Sequence, residues 1–326
     1  MGYKNFKNGF GKLRLGLMIV LSLAVAFLDA QQNNTSNLKL WYDKPAGNTW
    51  TNALPVGNGR LGAMVYGNVD TESVQLNEST VWSGSPDRND NPAALEALPG
   101  IRKLVFSGQY KAAENLANKT VISKASQGQM FEPVGSLHLA FAGQQNYDNY
   151  YRELNIENAT ATTIYSVGGV TYKREILASI PDQVIVMRLT ANKRHALSFN
   201  AFFSTPEPKA TVKTEGKDLV IEGTTIDHEG VKGEVKFKAI VRFKLNSGSL
   251  ATTDTSVLIK DADAVTAYIS IASSVVNYHD ISADENARAS AYLNKAYVES
   301  YETILKESVA AYQKYFSRVA LDLGTT

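Results

Sequence analysis

The 326-residue chain contains no cysteine. This excludes disulfide bonds, cysteine–metal sites, a thiol nucleophile and a lipid-modified cysteine. Such a chain has to be stabilised by its core alone, and 44% of its residues are hydrophobic. The length and composition therefore predict one large all-β domain or two ordinary domains, and they exclude a disordered or linker-like chain.

The chain also lacks a large excess of positive or negative charge, since it has 33 basic and 32 acidic residues. Four of the basic residues, but only one of the acidic residues, lie within the first thirty positions. The rest of the chain is therefore slightly acidic and carries no basic stripe. This argues against a nucleic-acid partner.

The familiar catalytic and metal-binding motifs are missing as well. The four histidines are far apart and show no metal-ligand spacing. No nucleophile elbow, dinucleotide fingerprint or calcium-binding loop is present. We therefore predict neither a metal nor a cofactor.

Only one hydrophobic run is long, and it lies near the amino terminus. Basic residues up to Arg14 precede an apolar stretch from Leu15 to Leu28. This pattern predicts a signal peptide over residues 1–30, cleaved after Ala30, and export to the periplasm or the extracellular space. An uncleaved membrane anchor is the alternative, because Leu28 is larger than the small residue preferred two positions before the cleaved end.

From Leu38 to about Ala272 the dominant pattern is that of β-strands. Short apolar runs alternate with turn residues, and Gly168-Gly169 between two such runs predicts a hairpin. The spacing favours a mainly β fold, a large antiparallel two-sheet sandwich. We predict a short helical insertion early in it, formed by Asn91–Phe106, which Pro99-Gly100 would break, and by Gln109–Asn118.

The pattern becomes helical after Tyr278. Ala283–Ala296 and Tyr297–Phe316 carry apolar residues at helical spacing, with an apolar face on the second segment. That face could pack back on the sandwich or could meet a partner beyond Thr326. We favour the second arrangement.

Gly57–Gly62 is the first candidate for a functional loop. Its three glycines permit positive φ angles and close backbone approach. It is not a phosphate-binding loop, because it lacks the Lys-Ser/Thr ending and precedes a strand. Two interpretations remain: a tight turn entering a strand, or a loop that directs Asn58 and Arg60 to a sugar pocket or a neighbouring domain.

Leu76–Gly84 is the second candidate, with Asn77 and Glu78 close to Trp82. Amides and carboxylates beside an indole suit sugar recognition, because hydroxyls take hydrogen bonds and the apolar ring face stacks on an aromatic side chain. The alternative is a strand end with Trp82 in the core. No spacing selects a second carboxylate to act with Glu78, so we do not assign it a catalytic role.

Taken together, these segments resemble the amino-terminal part of glycoside hydrolase family 95, the α-L-fucosidases and their relatives. The matching motifs follow one another in the expected order along nearly the whole chain after the signal peptide. They are Leu40–Ala46, Trp50, Leu54–Gly67, Leu76–Gly84, Phe131–Leu137, Tyr151–Leu154, Tyr172–Glu175, Pro181–Val186 and Tyr312–Val319.

The resemblance implies a β-sandwich, a helical linker, an (α/α)6 barrel and a smaller carboxy-terminal β-domain. Such enzymes hydrolyse terminal α-L-fucosyl bonds, or in some members α-L-galactosyl bonds, with inversion. Their catalytic residues lie in the barrel, so the resemblance implies no catalytic residue in this chain. It implies substrate-facing or interdomain positions on the sandwich loops, which are Asn58, Arg60, Asn77, Glu78 and Trp82.

We therefore predict a signal peptide over 1–30, a sandwich over 31–278 and a helical linker over 279–326 that leads to an absent catalytic barrel. The expected partners are a fucosylated glycan and the downstream catalytic domain, with no nucleic acid and no stable membrane span. The alternative is a non-catalytic carbohydrate-binding or structural module. The sandwich of a barrel phosphorylase is a third, less favoured interpretation, because the motif set matches family 95 better.

Overall fold

The computed structural model describes residues 38–123 and 128–321. The predicted signal peptide over 1–30 lies outside the described residues. The described residues from Leu40 onwards form one compact unit. None of the helices in the part that the structure describes combines the length and the apolar character needed to cross a membrane.

Two antiparallel sheets make up most of the fold. The nine-stranded sheet has the order β1-β6-β7-β8-β9-β16-β13-β12-β11 and the seven-stranded sheet the order β14-β15-β10-β5-β4-β3-β2. The strands are β1 (Lys39–Tyr42), β2 (Leu54–Gly57), β3 (Leu61–Val65), β4 (Thr71–Glu78), β5 (Gly135–Ala140), β6 (Asp148–Asn155), β7 (Thr160–Val167), β8 (Val170–Ala178), β9 (Ile185–Ala191), β10 (Leu197–Ser204), β11 (Ala210–Glu215), β12 (Asp218–Thr224), β13 (Lys236–Asn246), β14 (Ser249–Thr252), β15 (Ser256–Ala262) and β16 (Ala264–Ser273).

The predicted two-sheet sandwich is confirmed. The main core fills the space between the sheets, and strands such as β4 bury every second residue in it. The predicted hairpin is present: β7 and β8 are joined by Gly168 and Gly169, both at positive φ. A two-residue turn with two positive φ angles matches the twist of the flanking strands.

The helical insertion consists of α1 (Ala94–Phe106) and α2 (Tyr110–Thr120). Pro99 lies inside α1, so the expected break at Pro99-Gly100 is wrong. Pro99 is the sixth residue of α1 and removes one helical hydrogen bond, and the helix continues on both sides of it.

Two further helices, α3 (Glu285–Tyr297) and α4 (Tyr301–Phe316), follow the last strand. The predicted boundary at Tyr297 is displaced because Ser300 caps α4, accepting a hydrogen bond from the Thr303 amide at 3.1 Å. Asp284 caps α3 in the same way.

The apolar face of α4 packs against the sandwich, so the favoured expectation of a partner beyond Thr326 is wrong for this face. Tyr301 and Ile304 join a second core with α3 on the outer face of the nine-stranded sheet. Further along α4, the Tyr312 hydroxyl donates to the Ile156 carbonyl at 2.7 Å. Because β16 lies between two cores, all ten of its residues are buried.

Candidate functional site

The Gly-Asn-Gly-Arg segment forms the turn between β2 and β3. The Asn58 Oδ1 accepts hydrogen bonds from the amides of Arg60 at 3.1 Å and Leu61 at 2.7 Å. Gly59 takes a φ of 91°, which a side chain would strain. The tight-turn interpretation therefore describes the backbone here, and asparagine fits because its side chain closes the turn.

The side chains of this turn also reach the opposite sheet. The Asn58 Nδ2 donates to the Ser179 carbonyl at 2.7 Å, just beyond β8. The Arg60 guanidinium donates to the carbonyls of Gln183 and Ile271 at 2.9 and 2.6 Å, and to the Gln183 side chain at 2.8 Å. The turn therefore ties the two sheets together at one end.

Arg60 also contacts a carboxylate and an aromatic ring. Its Nη1 lies 3.6 Å from the Glu78 Oε1, and the guanidinium carbon lies 4.6 Å from the centre of the Tyr292 ring on α3. Burial lowers the pKa of Arg60, and the Glu78 carboxylate opposes that shift. We name Asn58, Arg60 and Glu78 the signature clamp.

Glu78 is 2% exposed and its second oxygen accepts hydrogen bonds from the Thr80 amide at 2.8 Å and hydroxyl at 2.6 Å. A carboxylate enclosed in this way is not placed to protonate a sugar oxygen. The substrate-facing role predicted for Asn58, Arg60 and Glu78 stays a prediction, since the contacts described are all within the chain.

Asn77 lies on the other face of the same strand. Because successive strand residues point to opposite sides, Glu78 faces inward and Asn77 faces outward. There it lines a groove of about 340 Å³ on the outer face of the seven-stranded sheet, with Trp50 and Phe131 also in the lining. We name this the outer groove.

Trp82 lies beside the outer groove and is 43% exposed, so the alternative that placed it in the core is wrong. Its Nε1 donates to the Ser79 carbonyl at 2.9 Å. Its ring meets Phe131 edge-on, with 5.3 Å between the centroids. Trp82 therefore supports one wall of the groove.

Sequence reasoning missed a pair of buried carboxyl groups behind Phe131. Glu132 and Glu207 are both buried, and Glu132 accepts a hydrogen bond from the Ile226 amide at 3.2 Å. Burial and the neighbouring Glu207 raise the pKa of Glu132 to about 7, although Ile226 and Lys209 oppose the shift. The two glutamates are 75 positions apart, so no local pattern links them.

In the part of the chain that the structure describes, no three His, Asp or Glu side chains come together as metal ligands would. The candidate site consists of the signature clamp, the outer groove and the buried pair Glu132 and Glu207.

The sequence matches the profile described as "Glycosyl hydrolase family 65, N-terminal domain" over residues 40–278. The chain belongs to this family. The profile covers most of the chain, while the family number 95 and the predicted domain borders stay predictions.

Two curated relatives support the resemblance to fucosidases. The chain is 32% identical to Alpha-L-fucosidase 2 of Arabidopsis thaliana over 92% of its own length. It is 25% identical to Probable alpha-fucosidase A of Aspergillus niger over 87% of its length. In both cases the chain spans 38% of the relative. The recognition of a fucosidase-like amino-terminal sandwich is thus confirmed.

A solved structure shares the fold of this family domain. It is described as a putative kojibiose phosphorylase from human microbiome, with a TM-score of 0.50 and 8% sequence identity. The similarity covers 87% of this chain and 38% of that one. At this identity the likeness concerns the fold alone.

Replacing Glu132 with glutamine is expected to stabilise this domain above neutral pH. The pKa of Glu132 is raised from 4.5 to about 7 on folding, so its contribution to stability is present below pH 4.5 and is lost as the pH rises through 7. The amide carries no charge and can donate to Glu207. We expect a gain of up to about 3 kcal/mol in the free energy of unfolding at pH 8, which shrinks towards pH 5.

Urea unfolding at pH 5 and pH 8 measures this gain. Glu307→Gln is the matched control, because Glu307 is exposed on α4, and it should change stability little at either pH. A Glu132→Gln variant that is equally stabilised at both values, or destabilised at pH 8, would contradict the assignment.

Proposed function

We propose that this chain is the amino-terminal domain of an exported glycoside hydrolase that removes terminal α-L-fucose, or α-L-galactose, from glycans with inversion. The observation that carries the proposal is the 32% identity to Alpha-L-fucosidase 2, which extends over 92% of the chain. The fold alone would not support it, since very different activities share folds.

The geometry of the signature clamp argues against catalysis by Glu78. Inverting hydrolysis needs an acid and a base about 6.5–9.5 Å apart across the scissile bond, with room for water between them. Glu78 is instead enclosed by Thr80 and Arg60 within the sandwich. The partners of the domain in this proposal are a fucosylated glycan and a downstream catalytic domain of the same protein.

The test is the stereochemistry of the reaction of the complete gene product. Incubated with 2′-fucosyllactose, it should release L-fucose, and proton NMR should detect the β-anomer before the α-anomer accumulates by mutarotation. Release of the α-anomer first would contradict inversion. Failure to release fucose or galactose from α-L-linked substrates would contradict the hydrolase assignment.

A further inference from the structure

We infer that the outer groove is a binding site for a neutral pyranose ring, separate from any catalytic centre. Its floor is built from outward-facing residues of three adjacent strands. Met64 lies between Pro55 and Gln75 in the register of the sheet, and Gly62 lies opposite Asn77. Trp50 and Phe131 contribute aromatic surface to its walls.

The groove is large enough for a small molecule. Its volume of about 340 Å³ falls at the lower end of the range for such sites, about 300–1,000 Å³. Gly62 leaves the bottom of the groove unfilled, because a side chain at this position would occupy the space above Asn77. A Cβ added at Gly62 would lie 3.9 Å from the Asn77 Cβ, an ordinary contact.

The polar groups of the groove fit a hydroxylated ligand. The Gln75 Oε1 is buried and, among the residues that the structure describes, it has no hydrogen-bond partner. Buried polar atoms normally have one. Because Gln75 also lines the groove, a ligand that settles there would supply the missing donor. A sugar hydroxyl supplies that donor, and Asn77 on the same face offers a second amide.

The remaining surface fits the apolar face of a sugar ring. Trp50 is 55% exposed, and its indole offers the flat surface on which pyranose C–H groups pack. Every side chain that lines the groove is uncharged. A uronic acid or sulfated sugar would find no cation there, so the occupant is a neutral sugar.

This inference rests on the proposed function for its ligand class and not for its geometry. A second sugar site on the sandwich would hold a glycan near the enzyme while another residue of the same glycan is cleaved. Because the two sites would be joined by one protein, even weak binding would raise the local concentration of substrate.

The test uses tryptophan fluorescence in the 326-residue chain, whose three tryptophans are Trp41, Trp50 and Trp82. Trp41→Phe removes the one that lies away from the groove. Trp50 and Trp82 are kept as the reporters, because Trp82 supports the groove wall through Phe131. Titration with 2′-fucosyllactose or lactose should give a saturable change, and glucuronic acid should give none. No saturation with either neutral sugar, or equal saturation with glucuronic acid, would overturn the inference.

Three variants then locate the binding. Gly62→Leu should abolish it by filling the floor, and Gln75→Leu should weaken it about tenfold. Gln75→Leu should not lower Tm, because the buried acceptor that it removes has no hydrogen-bond partner among the described residues. Trp41→Ala, made in place of Trp41→Phe, is the matched control: Trp41 is 60% exposed and stacks on Tyr151 at the other sheet, so binding should be unchanged.

Saturable binding that survives Gly62→Leu and Gln75→Leu would place the sugar elsewhere and overturn the inference. So would self-association of the chain that Gly62→Leu abolishes, because the groove would then be a protein interface. Since hydrolysis is not measured, a complete gene product without fucosidase activity would leave this result standing, and failure of binding would leave the proposed function standing.

Discussion

Replacing Arg174 with methionine is expected to lower the free energy of unfolding by about 3–5 kcal/mol. Arg174 on β8 is buried between the sheets, and its Nη1 lies 2.9 Å from the Oε2 of Glu72 on β4. It also donates to the Asn68 and Val69 carbonyls at 2.5 and 2.8 Å. Truncation would leave a buried carboxylate with no opposite charge.

The buried Glu72 gives this prediction a pH dependence. Burial raises the pKa of Glu72, and Arg174 opposes the shift. Without Arg174, its lowering effect on the pKa of Glu72 is lost, so Glu72 is expected to take up a proton on folding. Stability that depends on this protonation is lost as the pH rises. Arg174→Met should therefore be more destabilising at pH 8 than at pH 4.5.

The double variant Glu72→Gln/Arg174→Met separates the charge from the packing. The glutamine can still accept from the Gly67 amide, which donates to Glu72 at 2.8 Å, but it leaves no buried charge. It should recover part of the loss measured for Arg174→Met alone. A double variant that is no more stable than the single one, or a single variant that costs less than about 1 kcal/mol, would contradict the argument.

Replacing Arg60 with lysine is expected to cost about 2–4 kcal/mol, even though the charge is kept. The guanidinium reaches three acceptors in different directions and packs on Tyr292. An ammonium is a point charge and cannot replace a planar fork that serves several acceptors. The Ile271 and Gln183 carbonyls would lose good partners inside the protein.

Chemical unfolding at pH 7 measures this cost, with Arg88→Lys as the matched control. Arg88 is almost fully exposed and forms its ion pair with Asp90, which is also exposed, so the control should stay within about 0.5 kcal/mol of the parent. If Arg60→Lys were equally neutral, Arg60 would not be a clamp, and its predicted role towards a substrate would gain weight.

The sheets could be predicted from the sequence because alternation is a local signal. The predicted segments Thr160–Val167 and Val170–Ala178 are the strands β7 and β8. The same alternation, applied to Asn77 and Glu78, would have separated them onto opposite faces. The motif Leu76–Gly84, taken as a unit, instead predicts one recognition patch that holds both residues.

The sequence also contains an indication of where α4 lies. The segment Ala264–Ala272 is apolar with little alternation, and a strand of that kind is covered on both faces. Such a strand predicts a layer over the outer face of its sheet, and the helices α3 and α4 are that layer.

The partners of the signature clamp could not be predicted. Arg60 bonds to residues 123 and 211 positions away, and strand order rather than local pattern decides such contacts. The Arg174–Glu72 pair is equally hidden, because charged residues in a core contradict the rule by which cores are predicted.

We propose that this sandwich belongs to an α-L-fucosidase whose catalytic residues lie downstream. A comparison of the 326-residue chain with the complete gene product on one substrate tests this proposal. We expect 2′-fucosyllactose to be hydrolysed by the complete product and left intact by the 326-residue chain. Hydrolysis by the 326-residue chain itself, or by neither protein, would contradict the account.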